Sequence, residues 1–313
     1  MNNSISSEVT AELKRRRIIN TITLTLPRIG ILAAILAVIW WEKTIIPFDI
    51  AILVGMYILT IWGVSVGYHR LFSHKAFKTG PVMRALIGIA ASISTQGPII
   101  SWVSHHRQHH IYSDQPGDVH SPHLHGEDLW GRIQGFWHSH FGWMIGASWT
   151  EPLPYTNDLK NDPVIQAVDR FHLLWILLSL ALPAAIGGAV FGSWDGALRG
   201  LIWGGAIRIM LSFQGTISVN SICHLFGNRP FATTDLSRNN GLIAFLTLGE
   251  GWHNNHHAFP YSAQFGIHWW QYDFAWWTIV LMERLGLVWD VKRPSDKDLN
   301  GRDNEELAFA ADA

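Results

Sequence analysis

Along much of this chain the apolar residues neither alternate nor recur at helical spacing; they run on without interruption. The stretch "IGILAAILAVIWW" (29–41) carries no charge, 50–68 holds nothing ionisable but tyrosine, 173–194 is the strongest such run, and 200–220 is broken only by Arg208. About 20 mainly apolar residues cross a hydrocarbon core of about 30 Å. The pattern therefore predicts four transmembrane helices, at about 27–46, 50–68, 173–194 and 200–220. The first has a short core and extends either upstream into "TITLTLP" or downstream into "EKTII". Brief connections at 42–49 and 195–199 pair the four into two helical hairpins, which leaves both termini on one side. The cluster Lys14, Arg15, Arg16 and Arg17 before the first span assigns that side to the cytoplasm. Residues 1–20 are then a cytosolic lead, 21–290 the folded domain, and 291–313 a polar tail. No small-residue cleavage site follows a short apolar core, so no removable signal peptide is expected.

Composition agrees with a bilayer protein. Charged residues are 15% of the 313, against about 25% in soluble domains, hydrophobic residues are 48%, and there are 17 tryptophans. A net charge of −1 argues against a nucleic-acid partner. The one cysteine, Cys223, makes no intrachain disulfide and cannot supply the roughly four thiolates of an iron–sulfur cluster. There is no G-x-G-x-x-G and no Walker A pattern, so redox chemistry here would need electrons from another protein.

The candidate chemistry lies in the histidines. "HRLFSH" holds His69 and His74, "HRQHH" holds His106, His109 and His110, and "HNNHH" holds His253, His256 and His257. In H-x-x-H-H, positions i, i+3 and i+4 share one helix face, so each box is expected to present three imidazoles to one point. Imidazole is a common ligand of iron, zinc, copper and nickel, and eight imidazoles exceed what one ion accepts. Two metals is the economical reading. His69 and His74 fit less well, because five residues turn about 140° on an α-helix; either the helix distorts there or the metal sits off its side.

The boxes must also meet. A helix from about residue 50 running on to about 77 would be roughly 42 Å long and would carry the first box beyond the membrane. The apolar run 82–102 separates the first two boxes, and if it spanned the bilayer they would face opposite compartments. It is therefore predicted to be interfacial or re-entrant, with a break at Gly97-Pro98.

With these motifs in view, "GYHRLFSHKAF", "HRQHH", "NSICHLFGNRPF" and "GEGWHNNHHAFP" resemble the membrane fatty-acyl desaturases of the stearoyl-CoA (delta-9) desaturase family, from about residue 45 to 290. The resemblance implies an all-α integral membrane protein with four transmembrane helices under a cytosolic helical cap (69–170 and 224–290) that holds a di-iron centre. By motif, one iron would take His69, His74, His106, His110 and His256, and the other His109, His224, His253 and His257. Asn220 would reach the second iron through water. The implied reaction is O2-dependent insertion of a cis double bond, at delta-9, into a saturated acyl chain carried on CoA or a lipid. No cytochrome is fused here, so a ferredoxin or b-type cytochrome with its reductase would deliver electrons. A kinked apolar tunnel lined by Trp and Phe is expected for the chain. A membrane di-iron hydroxylase is the rival enzyme. A histidine-rich metal transporter or sensor is the non-enzyme alternative, and it predicts ligands along a path inside the membrane. The remaining histidines read as bland: His120, His123 and His125 as loop residues, His105 off the shared face, and His138, His140, His172 and His268 as structural. Arg208 reads equally as a structural contact or a substrate group.

Overall fold

The computed structural model describes residues 44–145 and 154–300, together with 18, 21–22, 25–26, 28–33, 35–36 and 39. The first predicted span lies partly outside the described residues, and the basic cluster 14–17 lies wholly outside them. The described residues are mostly helical, and the one sheet among them is a two-residue pairing of β1 (Lys78–Thr79) with β2 (Val288–Trp289).

Helix α1, Pro47–Ser73, starts at a proline in its first turn, with the Asp49 carboxylate accepting from Ile46 N at 3.1 Å. From Gly63 to Ser73 it is wound as a π-helix. The change begins where glycine lets it touch its neighbour: a Cβ on Gly63 would stand 2.3 Å from the Ala90 carbonyl oxygen. That neighbour is α2, Pro81–Ser92, followed by α3, Ile99–Tyr112. The apolar run 82–102 is thus two helices, broken where Thr95 (φ 62°) and Gly97 (φ 102°) turn left-handed. The free amides of Ile99 and Ile100 at the start of α3 donate to the Asp169 carboxylate at 2.8 and 3.0 Å, so a distant residue caps it.

Helix α4 is Leu129–His140, α5 Pro163–Arg170 and α6 His172–Phe191; α7 runs through 194–225 as three continuous segments with a π-wound middle, Leu201–Ile207. The α6–α7 turn falls at Gly192 (φ 59°) and Ser193, whose hydroxyl caps Gly196 N at 3.2 Å. It does not fall at the expected 195–199, which is helical. The charges of this stretch are consumed in packing: Arg199 donates to Asp49 at 2.6 Å and to Asp195 at 3.3 Å. A Cβ on Gly200 would stand 2.0 Å from the Pro183 carbonyl, so the two helices meet backbone to backbone.

Among the described residues two helices are long and apolar enough to cross a membrane, Pro47–Ser73 and His172–Phe191. They match the second and third predicted spans. Arg208 on α7 is fully buried and donates to three carbonyls, Gly204 (3.0 Å), Ile93 (3.1 Å) and Ser179 (2.9 Å), and to the Ser179 hydroxyl. Ile93 is the first residue after α2, so the guanidinium satisfies a carbonyl released by the break. The structural reading of Arg208 holds.

Beyond α7 the chain forms α8 (Gly241–Leu246), α9 (His253–Ala258) and α10 (Phe274–Arg284). The largest buried apolar cluster joins Tyr68, Phe72 and Phe77 from α1 and the turn after it to Ile87, Ile99, Val103, Ile165 and Ile279.

Candidate metal centre

Each histidine box is fixed by its other residues. In "HRLFSH", buried Arg70 donates to both oxygens of Asp273 (2.9 and 3.0 Å), to Glu250 (2.9 Å) and to the Ala263 carbonyl (2.9 Å). In "HRQHH", Arg107 donates to the carbonyls of Phe72 (2.7 Å) and Ser73 (3.0 Å), tying the second box to the end of the first. In "HNNHH" the asparagines are anchors. Asn254 pairs with the Phe231 backbone, Asn255 donates to the Phe265 carbonyl, and the Asn239 side-chain oxygen caps the amides of both.

The nine expected histidines come together as two groups. His69, His74, His106, His110 and His256 form one, and His109, His224, His253 and His257 the other; within each group the candidate ligand atoms lie within 4.8 Å of one another. A box does not serve a single point, as the shared-face argument expected. Positions i and i+4 of each H-x-x-H-H go to one group and i+3 to the other, because i+3 and i+4 are about 100° apart on the helix. The His69–His74 difficulty is resolved by the π-winding. A backbone bond from His74 N to the His69 carbonyl at 3.2 Å closes an i→i+5 turn and sets the two imidazoles on one side.

Ring nitrogens face each other as pairs of Nε2 atoms, His69–His256 at 2.9 Å, His74–His106 at 2.7 Å, His110–His256 at 2.9 Å and His224–His253 at 3.0 Å. His109 Nε2 and His257 Nε2 are buried with no hydrogen-bond partner among the described residues. Behind them, Nδ1–H donates to a carboxylate: His109 to Asp118 (3.0 Å), His224 to Asp114 (2.8 Å), His257 to Asp235 (2.7 Å) and His69 to Glu250. This fixes the tautomer that turns an Nε2 lone pair inward. Converging lone pairs repel one another and a cation would relieve them, so the residues fit two metal ions.

Charge supports the same reading. Burial, and then repulsion from neighbouring imidazoles, holds His74, His106, His110, His253 and His256 well below the ordinary imidazole range, so they are neutral at pH 7. Burial alone would raise Asp114, Asp118 and Asp235, but their histidine partners and hydrogen bonds pull all three below the usual carboxylate range.

The four carboxylates were missed from the sequence. Glu250 stands three residues before His253 in a quoted motif, and Asp114 and Asp118 follow His110 by four and eight; an acid that close to a box is the signal that could have found these three, while Asp235, 22 residues before His257, carried none. His120 lies in a loop, as expected, but is buried, its ring 4.3 Å from that of His109. With His109 and Asp118 it makes a third cluster, but His109 already belongs to the four-histidine group and Asp118 backs it. His105 stays out of both groups and lies across from Trp143, ring centroids 5.9 Å apart. His140 is structural, held by Ser221 and Gln214.

Two cavities border the groups and share the wall formed by Trp102, His106, Thr216 and Asn220. One, of about 520 Å³ with its mouth, runs toward His105, His120 and Trp143; the other, of about 440 Å³, runs between α1 and α7 toward Ile61 and Thr247. Asn220 thus stands at the junction, beside the histidines.

The sequence profile of the family described as "Fatty acid desaturase" matches residues 44–287. A hex-5-enoyl-(acyl-carrier protein) acetylenase of Moorena producens (strain JHB) is 44% identical over 279 residues, 88% of this chain and 86% of that protein. An acyl-CoA C20 Delta5-desaturase of Anemone leveillei is 39% identical over 240 residues (75% and 71%), and an sn-1 stearoyl-lipid 9-desaturase of Anabaena variabilis 36% over 251 (78% and 85%).

Proposed function

The chain belongs to the fatty acid desaturase family and is an oxidoreductase, and from that premise we propose that it introduces a cis double bond into a fatty-acyl chain at a di-iron centre. One observation carries the reading: two adjoining groups of histidines, four of them backed by carboxylates, border two cavities that meet at Trp102, Thr216 and Asn220. Overall, two hydrogens leave adjacent methylenes, O2 takes two further electrons and two protons, and two waters form. The electrons come from a ferredoxin or a b-type cytochrome with its reductase. Iron, when bound, supplies the oxidising power that an unactivated C–H bond requires. One ion would be held by His69, His74, His106, His110 and His256, and the other by His109, His224, His253 and His257 with Asn220 reaching it through water.

The protein's own part is positioning and the exclusion of water. Trp102 walls both cavities, and Gln96 donates to Thr216 at 2.9 Å where they join, so the chain would be held fixed beside the histidines. Exposed Val54, Ile58, Leu174, Leu177 and Val190 on α1 and α6 suit lipid surroundings. We read the fold as four transmembrane helices in two hairpins within a desaturase domain at 21–290, with the metal centre and both termini cytoplasmic. The carrier is acyl-carrier protein, CoA or a lipid, as in the relatives' names, and those names place the reaction at carbons 5 and 9; delta-9 is therefore one position among several. The 44% identity to an acetylenase favours a second reading, removal of hydrogen from a chain that already holds a double bond.

Gas chromatography–mass spectrometry of fatty acids from a host expressing this chain, beside His256→Ala, tests the proposal. New monounsaturated acids with the wild type alone are expected. Alkynes would select the second reading, and hydroxylated acids would move the protein to the hydroxylases. No new product with a ferredoxin system supplied, and no iron in the purified protein, would sink the proposal.

A further inference from the structure

Past α7 the chain turns back on itself through an antiparallel bridge between Asn228 and Asn239, with backbone bonds of 3.1 and 2.7 Å. Arg229 follows one of these residues and Arg238 precedes the other, so two like charges flank the bridge. They stand close enough that burial, and then the charge of Arg229, hold Arg238 below its ordinary value. Like charges across a strand pair are destabilising. Among the described residues neither arginine has a carboxylate partner. Arg229 donates to the carbonyls of Asp235 (2.5 Å) and Thr233 (3.4 Å) and to the Thr233 hydroxyl (3.3 Å), and Arg238 to the Gly227 carbonyl (3.1 Å). The Nε–H of each is buried without a partner. The Asp235 carboxylate in the same loop is already taken by His257 (2.7 Å), the Ser237 amide (2.9 Å) and the Thr233 hydroxyl (3.0 Å).

This loop also brings the surface within one side chain of the metal centre. Asp235 backs His257, and the amide of exposed Leu236 donates at 2.8 Å to Asp114, which backs His224. Two adjacent loop residues thus each reach a histidine of the four-membered group through a single carboxylate. The two cavities beside the histidines lie elsewhere, since neither is lined by His257 or by any residue of 226–240. Exposed Phe226 and Leu236 add apolar surface to the same loop, and arginine with aromatic surface is a combination enriched where proteins meet.

We infer that the loop 226–240 is the docking surface of the electron donor, with Arg229 and Arg238 receiving acidic side chains of a carrier protein. The inference rests on the desaturase reading above, which requires two electrons from outside for each double bond. Two one-electron carriers are oxidised in turn, and each passes its electron to the centre beside His257 and His224. Redox encounters of this kind are small, below about 1,200 Å², so complementary charge sets the on-rate. A phosphate on the acyl carrier is the competing anion, but it would approach by the cavities, where none of this loop is found.

The test measures turnover of the iron-loaded protein in detergent against an acidic plant-type ferredoxin kept reduced by its reductase. Wild type is compared with Arg229→Gln, Arg238→Gln, Arg238→Lys and the double glutamine variant. Removing the charges should raise KM for ferredoxin about tenfold while the rate at saturating ferredoxin is kept. Arg238→Lys should stay near wild type. Raising salt from about 0.01 to about 0.15 M shortens screening from about 30 to about 8 Å, and should raise KM steeply in wild type and little in the double variant. An unchanged KM in the double variant overturns the inference; where that variant does not accumulate, Arg238→Gln decides, because it gives up only the bond to Gly227. A lower rate at saturation with KM unchanged overturns it too, as the mark of a loop brace. So does a KM that rises for the acyl substrate alone, as the mark of a phosphate site. A second readout needs no turnover: the Kd of oxidised ferredoxin for the same proteins, by fluorescence anisotropy. It should rise about tenfold in the double variant, and equal values, or no binding by wild type, overturn the docking surface. A wild type that converts no chain would sink the desaturase reading, while the Kd comparison still judges the two arginines.

Discussion

Acidification is the perturbation to which this site is most exposed. His74, His106, His110, His253 and His256 have no carboxylate against them in the hydrogen bonds that back the other four, and burial followed by mutual repulsion keeps their imidazoles well below 6.5. The unfolded chain takes up these protons from about pH 6.5 downward while the folded chain refuses them. Stability is therefore complete above that pH and declines as pH falls through it. Each such histidine loses about 1.4 kcal/mol per pH unit, and five together about 7 kcal/mol by pH 5.5, which matches the whole stability of a typical domain, about 5–15 kcal/mol. This sum is a ceiling, since the fold yields before all five titrate. Asp114, Asp118 and Asp235, held below the usual carboxylate range, keep their contribution until the pH drops under about 4, so they do not steepen the loss in this window. Thermal unfolding of metal-stripped protein in detergent, followed by helical circular dichroism from pH 8 to 5, should show a plateau above 7 and a steep fall between 6.5 and 5.5. Iron should move that fall to lower pH, because it competes with protons for the same nitrogens. A midpoint that stays level from pH 7.5 to 5.5 without metal would refute the reasoning.

Glu250→Gln removes the charge that accepts from both His69 and Arg70; iron affinity, measured by metal analysis against a chelator series, should fall about 10–100-fold. Stability should drop by about 1.5–3 kcal/mol, since Asp273 still holds Arg70. Arg208→Met removes the donor to the carbonyls of Gly204, Ser179 and, at the α2 break, Ile93, and should lower the melting temperature sharply; an unchanged melting temperature would return Arg208 to the candidate substrate groups. Gly200→Leu should prevent α6 and α7 from closing, seen as loss of monodisperse protein in size-exclusion chromatography. Gly55→Ala, which meets nothing within 4 Å, is the neutral comparison and should gain up to about 1 kcal/mol from helix propensity.

Much of this protein is local in the sequence. Uninterrupted apolar runs such as 173–194 predict helices because lipid satisfies no backbone group, so such a run must satisfy its own. The three histidine boxes, and through their neighbours His224, name the metal-centre candidates, since imidazoles so concentrated have few other uses. The partition of each box between two groups was also implied, by family motif though not by the helix-face argument, which sent each box to one point. The remainder depended on contacts between distant segments. The π-turn that brings His74 beneath His69 begins where Gly63 meets Ala90, and nothing within "HRLFSH" announces it. Glu250, Asp114, Asp118 and Asp235 acquire their meaning only when folding sets each against a histidine Nδ1. "DGALRG" reads as a loop until Asp49, some 150 residues earlier, neutralises Arg199 inside a helix pair. Tyr57 is one aromatic among many in an apolar run until Gly215 and Leu246 fix it in place. Near-neighbour chemistry sets which long apolar runs become helices and which side chains can bind metal, so both were legible along the chain. Where those side chains point and what holds them there came from folding, because that depends on partners far away along the chain.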